Sequence, residues 1–301
     1  MDFPLLLAAK DIIIRVLKEY DLEPIGCSTR EVLQSYFNFK HKIIRQQPRA
    51  VMKSALLSTK AHELGVSEIL KNMEQRFVDG ADINPNLSKK IFHVNDHDYL
   101  LNDWAIHHLH LSDARINSTD YFYKRSDFLL FCHVTQDKVY FIDIRPHSES
   151  YVFAQRDLIR VIRDNWPELN KKFQVGDEPM EIHPRLDERD IAMIRRKGYM
   201  ALTQVDGFAY MPGQGSTTTG FSLEAAREMD AFHRTLYKIH SYTQEFDEQL
   251  KDEILGSDGK KLERLQFSLA YQDWMFYVLE LNSGRAVDFD LSGYQPKYPD
   301  T

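Results

Sequence analysis

Cysteine is scarce in this sequence: Cys27 and Cys132 are the two cysteines among 301 residues. They lie far apart, and neither belongs to a paired-cysteine motif. A disulfide-stapled scaffold and a cysteine-based zinc module are therefore excluded. Such sparing use of cysteine is typical of proteins in a reducing compartment, and we expect a cytoplasmic location.

Long uncharged hydrophobic runs are also missing. No segment approaches the roughly 18 apolar residues of a membrane span. The first twenty residues carry charges at Asp2, Lys10, Asp11 and Arg15, whereas a signal peptide has a basic start and an unbroken apolar run. We predict an amphipathic helix there and no membrane partner.

Acidic residues are missing from Val32 to His62, although the chain carries a formal net charge of −7. The basic residues of this stretch are Lys40, Lys42, Arg45, Arg49, Lys53 and Lys60. A locally basic surface can bind phosphates on an acidic protein, so Lys40, Lys42 and Arg45 are predicted phosphate-binding residues. The alternative is a solvated helix face whose charge is balanced by acids elsewhere in the fold.

The apolar residues that are present, 43% of the chain, suffice for a core. Up to about residue 79 they recur mostly at helical spacing, and Ser28-Thr29-Arg30-Glu31 has the form of a capping box. Helices are therefore predicted near the N-terminus, from about Thr29, from Ala50 to Glu63 and from Val66 to Val78.

The pattern then changes to strands. Phe128–Val134 and Lys138–Ile144 are apolar runs joined by Thr-Gln-Asp, which predicts a hairpin buried on both faces and central in a sheet. Ile106–Ser112 is predicted to be a third strand. The rest of the chain predicts a helix ending at Pro167, a short helix over 186–197 and a strand over 199–211. A long helix over 222–255 and a closing set of strands are predicted to follow.

These elements predict an α/β (α+β) fold with three regions. Residues 1–85 form a helical N-terminal region, and residues 86–175 form a mixed α/β core around a central mixed sheet. Residues 176–301 form a C-terminal α+β region made of a strand, a long helix and a β-hairpin.

Histidine is concentrated in the predicted core. Seven of the twelve histidines lie between residues 93 and 147: His93, His97, His107, His108, His110, His133 and His147. Imidazole is the side chain best able to move protons near neutral pH. On a strand His108 and His110 share one face and His107 lies on the other, so we predict a functional pair and a hydrogen-bonded core residue.

Metal-free RNA cleavage needs a base for the ribose 2′-OH, an acid for the leaving oxygen and a cation for the phosphorane charge. A short strand, a basic Tyr-Lys-Arg turn and a hairpin ending in Ile-Arg-Pro-His follow one another over about residues 106–147. This layout resembles the RelE/HigB-like toxin ribonucleases. The resemblance implies an endonuclease of the toxin or phage-defence kind, with RNA favoured over DNA, no cofactor, and an inhibitory partner protein.

The residues that this interpretation uses fall into two groups. The predicted catalytic residues are His108, His110, Arg125 and His147, and the phosphate-binding residues are Lys124 and Arg145 together with those of the basic stretch. The rival from another class is a non-enzymatic module that binds nucleic acid or protein through its basic N-terminal helices. Its histidines would serve the structure, and they would share no cleft.

Two metal-dependent alternatives are open. Ser126-Asp127-Phe128 and Asp143-Ile144-Arg145 look like a PD-(D/E)xK nuclease motif, in which Asp127 and Asp143 would hold Mg²⁺. Arginine in the lysine position cannot easily act as a base. Alternatively, His93 and His97, if helical, could bind Zn²⁺, Mn²⁺ or Fe²⁺ with nearby acids.

Two weaker patterns complete the set. His110-Leu-Ser and His133-Val-Thr each have the H-x-[ST] form of two-histidine phosphoesterases, although they lie too close together for that layout. The segment PGQGSTTTG over 212–220 could hold a phosphate on backbone N–H groups, or it could be a connecting loop.

Overall fold

The computed structural model describes residues 2–93, 96–115, 117–213, 215–217, 221–245, 266–281 and 285–287. The fold is α/β, as predicted. Two compact units are formed, one by Met1–Lys40 with Ala225–Lys297 and the other by His41–Glu224. The boundaries predicted at 85 and 175 both fall inside the second unit.

The elements follow one another from mostly helical to mixed. The helices are α1 Pro4–Glu19, α2 Thr29–Lys42, α3 Leu57–Glu63, α4 Ser67–Val78, α5 Tyr99–Trp104, α6 Asp157–Asn165, α7 Pro167–Lys171, α8 Glu188–Arg196 and α9 Leu223–Glu245. The strands are β1 Ala50–Lys53, β2 Ile106–His110, β3 Phe128–Val134, β4 Lys138–Pro146, β5 Thr203–Val205, β6 Phe208–Tyr210, β7 Phe267–Gln272, β8 Met275–Glu280 and β9 Arg285–Val287. Short 3-10 turns lie at Asn84–Asn86, Lys89–Phe92 and Val152–Ala154.

The first unit is built on aromatic packing between its helices and its sheet. The antiparallel sheet has the order β7-β8-β9, and α1 packs against β7. Phe232 of α9 lies between Phe37 of α2 and Phe276 of β8, at ring-centroid distances of 5.5 and 4.8 Å. The face of α9 that carries Phe232 therefore packs into the core of this unit.

The second unit is built around a four-stranded mixed sheet of order β1-β4-β3-β2. The β3–β4 hairpin is central and buried on both faces, as predicted. Leu130 and Phe141 contribute to the core on one face, and Phe131 and Ile142 contribute to the core on the other, beneath α6. This two-sided burial explains why both strands are apolar almost throughout.

The helix predicted from Ala50 to Glu63 is wrong over its first part. Ala50–Lys53 form β1, which runs parallel to β4 with Ala50 opposite Lys138, and α3 begins only at Leu57. The hydroxyl of Ser54 donates a hydrogen bond to the Ile142 carbonyl at 2.7 Å and secures the end of this strand. Pairing satisfies the main-chain groups of β4, which outweighs the local helical pattern.

The single strand predicted over 199–211 is two strands, β5 and β6. They are joined by Asp206 and Gly207, both with positive φ, at 48° and 85°. An Asp-Gly pair indicates a tight hairpin turn. The spacing of the apolar residues, on which the single-strand prediction was based, does not reveal such a turn.

Three predictions reach outside the described residues: the end of the long helix beyond Glu245, the phosphate loop over 212–220 in part, and most of the last strand. None of the helices in the described ranges combines the length and the apolar character that a membrane crossing needs.

Candidate functional site

A cavity of about 310 Å³ in the second unit is lined by all four predicted catalytic residues, His108, His110, Arg125 and His147. Its volume is at the lower end of the range of about 300–1,000 Å³ that is usual for ligand sites. Its other polar walls are formed by Lys42, Lys90, Asp96, His97, Asp98 and Tyr99, and Phe153 contributes an apolar wall.

Strand alternation places the two central histidines. In β2, His108 lies opposite Phe131 and His110 lies opposite Leu129, and these two partners belong to the core beneath α6. Leu109 belongs to the core on the opposite face. The prediction that His108 and His110 share a face is therefore confirmed.

Of three further histidines in the second unit, His107 and His133 are buried and His41 is partly buried. Burial lowers the pKa of His107 to about 3 and the pKa values of His41 and His133 to about 4 each. The ring of His133 contacts the Ala105 carbonyl through Nδ1 at 2.9 Å. These imidazoles are neutral at pH 7, and the predicted burial of His107 is confirmed.

A carboxylate lies beside His108. Asp98 is the N-cap of α5, where Oδ1 accepts a hydrogen bond from the Leu101 N–H at 3.0 Å. Its other oxygen, Oδ2, lies 3.5 Å from Nδ1 of His108. Phe153 packs on the imidazole at a ring-centroid distance of 4.8 Å. A carboxylate fixed by a helix cap therefore faces one imidazole nitrogen, which is the arrangement that orients a general base.

His110 and His147 form a stacked pair, with ring centroids 5.7 Å apart and an interplanar angle of 15°. The main-chain N–H of His147 donates to the Asp127 carbonyl at 2.7 Å, which fixes the end of β4 beside the start of β3. Burial, and then the charges of His108, His147 and Arg125, lower the pKa of His110 to about 4. His110 is therefore neutral in the resting protein.

Two imidazole nitrogens of the cavity have unused hydrogen-bonding capacity. Nδ1 of His108 and Nδ1 of His110 are buried, and neither makes a hydrogen bond within the part of the chain that the structure describes. Buried polar atoms are rarely left in this state, because each one costs free energy. A ligand with a polar group would satisfy Nδ1 of His110, whereas Nδ1 of His108 faces Asp98 across 3.5 Å.

Lys42 supplies a buried positive charge at the end of α2. Its ammonium group donates to the His93 carbonyl at 3.1 Å. Burial lowers the pKa of Lys42 to about 8, and the charges of Asp96 and Asp98 oppose this shift. The lysine is mostly charged at pH 7, and it is the residue of the predicted basic stretch that lines the cavity.

The other predicted phosphate-binding residues lie elsewhere. Lys40 belongs to the first unit and forms an ion pair with Glu228. Arg45 and Lys124 are exposed and do not line the cavity. Elsewhere in the basic stretch, Lys53 pairs with Glu74 at 2.9 Å and Lys60 with Asp143 at 2.7 Å. Acids from other segments therefore balance much of this charge.

Arg145, a predicted phosphate-binding residue, is held by acidic side chains and does not line the cavity. Its guanidinium contacts Asp143 at 2.9 Å and Glu149 at 2.7 Å. It lies opposite Leu129, which in turn lies opposite His110, so two strand spacings of about 4.8 Å separate the arginine backbone from the histidine backbone. Carboxylates occupy the donors that a phosphate would need.

The structure does not bring together the two acids of the PD-(D/E)xK interpretation. Asp143 lies opposite Phe131, four positions along β3 from Asp127, which is about 13 Å at the usual rise of a strand. Two acids at that separation cannot hold one metal ion. Asp143 also contacts Lys60 and Arg145.

The structure does not assemble the remaining metal-binding and phosphoesterase patterns into sites either. Among the described residues no group of three or more His, Cys, Asp and Glu side chains is suited to hold a metal ion. His93 and His97 lie outside helices. His133 pairs with Ile106 at the opposite end of β2 from His110, so the two H-x-[ST] motifs do not meet.

The sequence interpretation missed Phe153 and the orienting role of Asp98. Phe153 lies in the 3-10 turn Val152–Ala154, and nothing in its neighbourhood in the sequence indicates a cavity wall. Asp98 had a usable signal, because an Asp immediately before an apolar helical segment is a typical N-cap.

Comparisons with protein-family models, curated proteins and solved structures gave no match for this chain. The resemblance to RelE/HigB-like ribonucleases therefore stays a prediction. The protein is described by its α/β fold and by a cavity lined by histidines, by two acids, Asp96 and Asp98, and by basic residues that are buried or exposed.

Proposed function

We propose that the second unit is a metal-independent phosphodiesterase that cleaves RNA. The observation that carries the proposal is the convergence of His108, His110, Arg125 and His147 on one cavity that also contains Lys42. A separation of more than about 10 Å without a shared cleft would have favoured the non-enzymatic binding module, since catalytic partners need hydrogen-bond reach.

In this proposal His108 is the general base. Asp98 faces Nδ1 of its ring, so Nε2 is the nitrogen that accepts the proton of the ribose 2′-OH. The 2′-oxygen then attacks the adjacent phosphorus atom. RNA brings this nucleophile with it, which is why RNA rather than DNA fits a cavity equipped with acid–base groups and cations.

The other end of the cavity serves the leaving group. The bond between phosphorus and the 5′-oxygen breaks, and His147 donates a proton to that oxygen, which leaves a 2′,3′-cyclic phosphate and a 5′-hydroxyl. Arg125 and Lys42 offset the charge on the phosphorane. His110 is neutral at rest, and the charge of the entering phosphate favours its protonation beside His147.

The test is cleavage of an RNA oligonucleotide in the presence of EDTA. His108→Ala and His147→Ala should each lower the rate by about 10²–10⁴-fold, the usual contribution of a general acid or base. His62→Ala, at an exposed histidine of α3, is the matched control and should cleave at the wild-type rate. Mass spectrometry should find the cyclic phosphate.

Undiminished cleavage in both cavity variants, or equal cleavage of DNA of the same sequence, would refute the proposal. A toxin or phage-defence role with an inhibitory partner protein extends the proposal through the resemblance alone, and a cytoplasmic location extends it through the sparing use of cysteine. Growth arrest on expression of the wild-type protein, but not of His108→Ala, would support that extension.

A further inference from the structure

We infer that the cavity takes a single unpaired RNA nucleotide, with its base against Phe153, and that base-paired RNA cannot reach the reacting groups. The inference rests on the proposed function and deepens it by naming the state of the RNA strand. Three properties of the described residues carry it: the position of His108 and His110 below exposed wall residues, the exposed aromatic ring, and the distribution of charge.

The floor of the cavity lies below the surface. His110 is 4% exposed, Lys42 is 5% exposed and His108 is partly buried, whereas Arg125 and His147 are exposed wall residues. Proton transfer requires the heavy atoms to approach to about 2.6–3.2 Å. In an A-form duplex the 2′-hydroxyls lie in a wide, shallow groove between two strands, so the second strand would meet the exposed wall residues before a 2′-OH reached His108. A nucleotide released from its partner can enter.

Phe153 offers a stacking surface beside these groups. It is 37% exposed, although large apolar side chains are usually buried, and it lies 4.8 Å from His108 and 6.3 Å from His147 between ring centroids. Its backbone is fixed, because Arg195 Nη1 donates to the Phe153 carbonyl at 2.8 Å. Unpaired bases commonly stack on aromatic side chains of this kind.

The charged side chains of the cavity favour the binding of one phosphate group and determine the orientation of the nucleotide. Arg125 lies near His110, where its charge contributes to the lowered pKa of that histidine. Asp96 and Asp98 lie near Lys42 instead. Carboxylates repel a second phosphate and accept hydrogen bonds from hydroxyl or base N–H groups. A bound nucleotide would therefore direct its phosphate toward Arg125 and its ribose or base edge toward the acids.

The experiment compares three RNAs of one sequence in EDTA with the full-length protein: a single strand, a perfect duplex, and a duplex with one unpaired nucleotide. We expect the single strand to be cleaved at least 100-fold faster than the perfect duplex. The third RNA should be cleaved at its unpaired nucleotide, at a rate near that of the single strand.

Binding is measured separately, without cleavage. Each of the four nucleoside 3′-monophosphates is titrated while the imidazole Hε1 resonances of His110 and His147 are followed by NMR. Phe153→Leu should weaken binding by about 10–100-fold, the range for loss of one base–aromatic stack, whereas Phe153→Tyr should retain it. Tyr151→Leu is the matched control, because it removes an exposed ring next to the same 3-10 turn but outside the cavity.

The outcomes separate this inference from the proposed function. Equal cleavage of single strand and perfect duplex overturns the inference and leaves the proposed function intact. Nucleotide-dependent shifts that require the ring of residue 153, without cleavage of any RNA, support the inference and remove the proposed chemistry. If no RNA is cleaved and no nucleotide shifts the resonances, both the inference and the proposed function are overturned.

Discussion

Acid should destabilise the second unit well above the pH at which most proteins unfold, because it contains buried neutral histidines. His41, His107 and His133 have folded-state pKa values of about 4, 3 and 4, each lowered by burial. The imidazole pKa in an unfolded chain is about 6.5. The unfolded state therefore binds more protons below that pH. The stability that these groups contribute is present above about pH 6.5 and is lost as the pH falls.

The size of the effect follows from these pKa values. Between pH 7 and pH 5 each histidine removes about 2 kcal/mol, since one pKa unit corresponds to about 1.4 kcal/mol. The three together remove about 5–6 kcal/mol, which approaches the whole stability of many domains, about 5–15 kcal/mol. Unfolding near pH 5 is therefore expected without any change in the cavity.

The assay is urea denaturation at pH 7, 6 and 5, followed by tryptophan fluorescence, to which Trp104 and Trp166 of this unit contribute. His107→Leu should abolish about a quarter of the pH dependence, whatever its effect on stability at pH 7, because His110 of the cavity has a similarly lowered pKa and contributes as well. His62→Gln, at an exposed histidine, is the control and should leave the dependence unchanged. A wild-type stability that is flat between pH 7 and pH 5, or an unaltered slope in His107→Leu, would show that burial does not keep these histidines neutral.

Two further predictions concern residues that support the cavity. Arg195 and Asp103 form a buried ion pair with Nε and Oδ2 2.6 Å apart, so Arg195→Met should cost about 3–5 kcal/mol in urea denaturation by leaving a buried carboxylate. The double variant Arg195→Met with Asp103→Leu should recover most of this loss, and no recovery would contradict the account. Asp98→Asn should retain the helix cap, and hence the stability, because Asn caps as well as Asp. It should nevertheless slow RNA cleavage about 10-fold or more by removing the charge that orients His108, and a wild-type rate would exclude that role.

Features that depend on local periodicity were predictable. The β3–β4 hairpin follows from two apolar runs of strand length, and the shared face of His108 and His110 follows from strand alternation. β1 was not predictable in the same way, because Ala50–Lys53 is short and its strand conformation depends on pairing with β4. The pattern of residues within a short segment does not reveal that it will pair with a strand distant in sequence, here β4.

The site residues that were predictable lie on β2 or at the ends of the β3–β4 hairpin, which are close in sequence. The basic stretch predicted charge but not which lysine would be buried, since Lys42 reaches the cavity from the end of a helix distant in sequence from β2. Arg145 illustrates the converse. Its place in the motif suggested phosphate binding, yet Glu149 and Asp143 neutralise it, and these acids lie within four residues of it.

The stacked pair of His110 and His147 spans β3, since one histidine ends β2 and the other follows β4. A one-residue slip of β2 along β3 would turn His110 to the opposite face of the sheet and dissolve the pair. Assembly of the reacting groups is thus coupled to correct alignment of three strands. If the proposed function holds, a nascent or misregistered chain would not cleave RNA, and activity would begin only with completion of the native sheet.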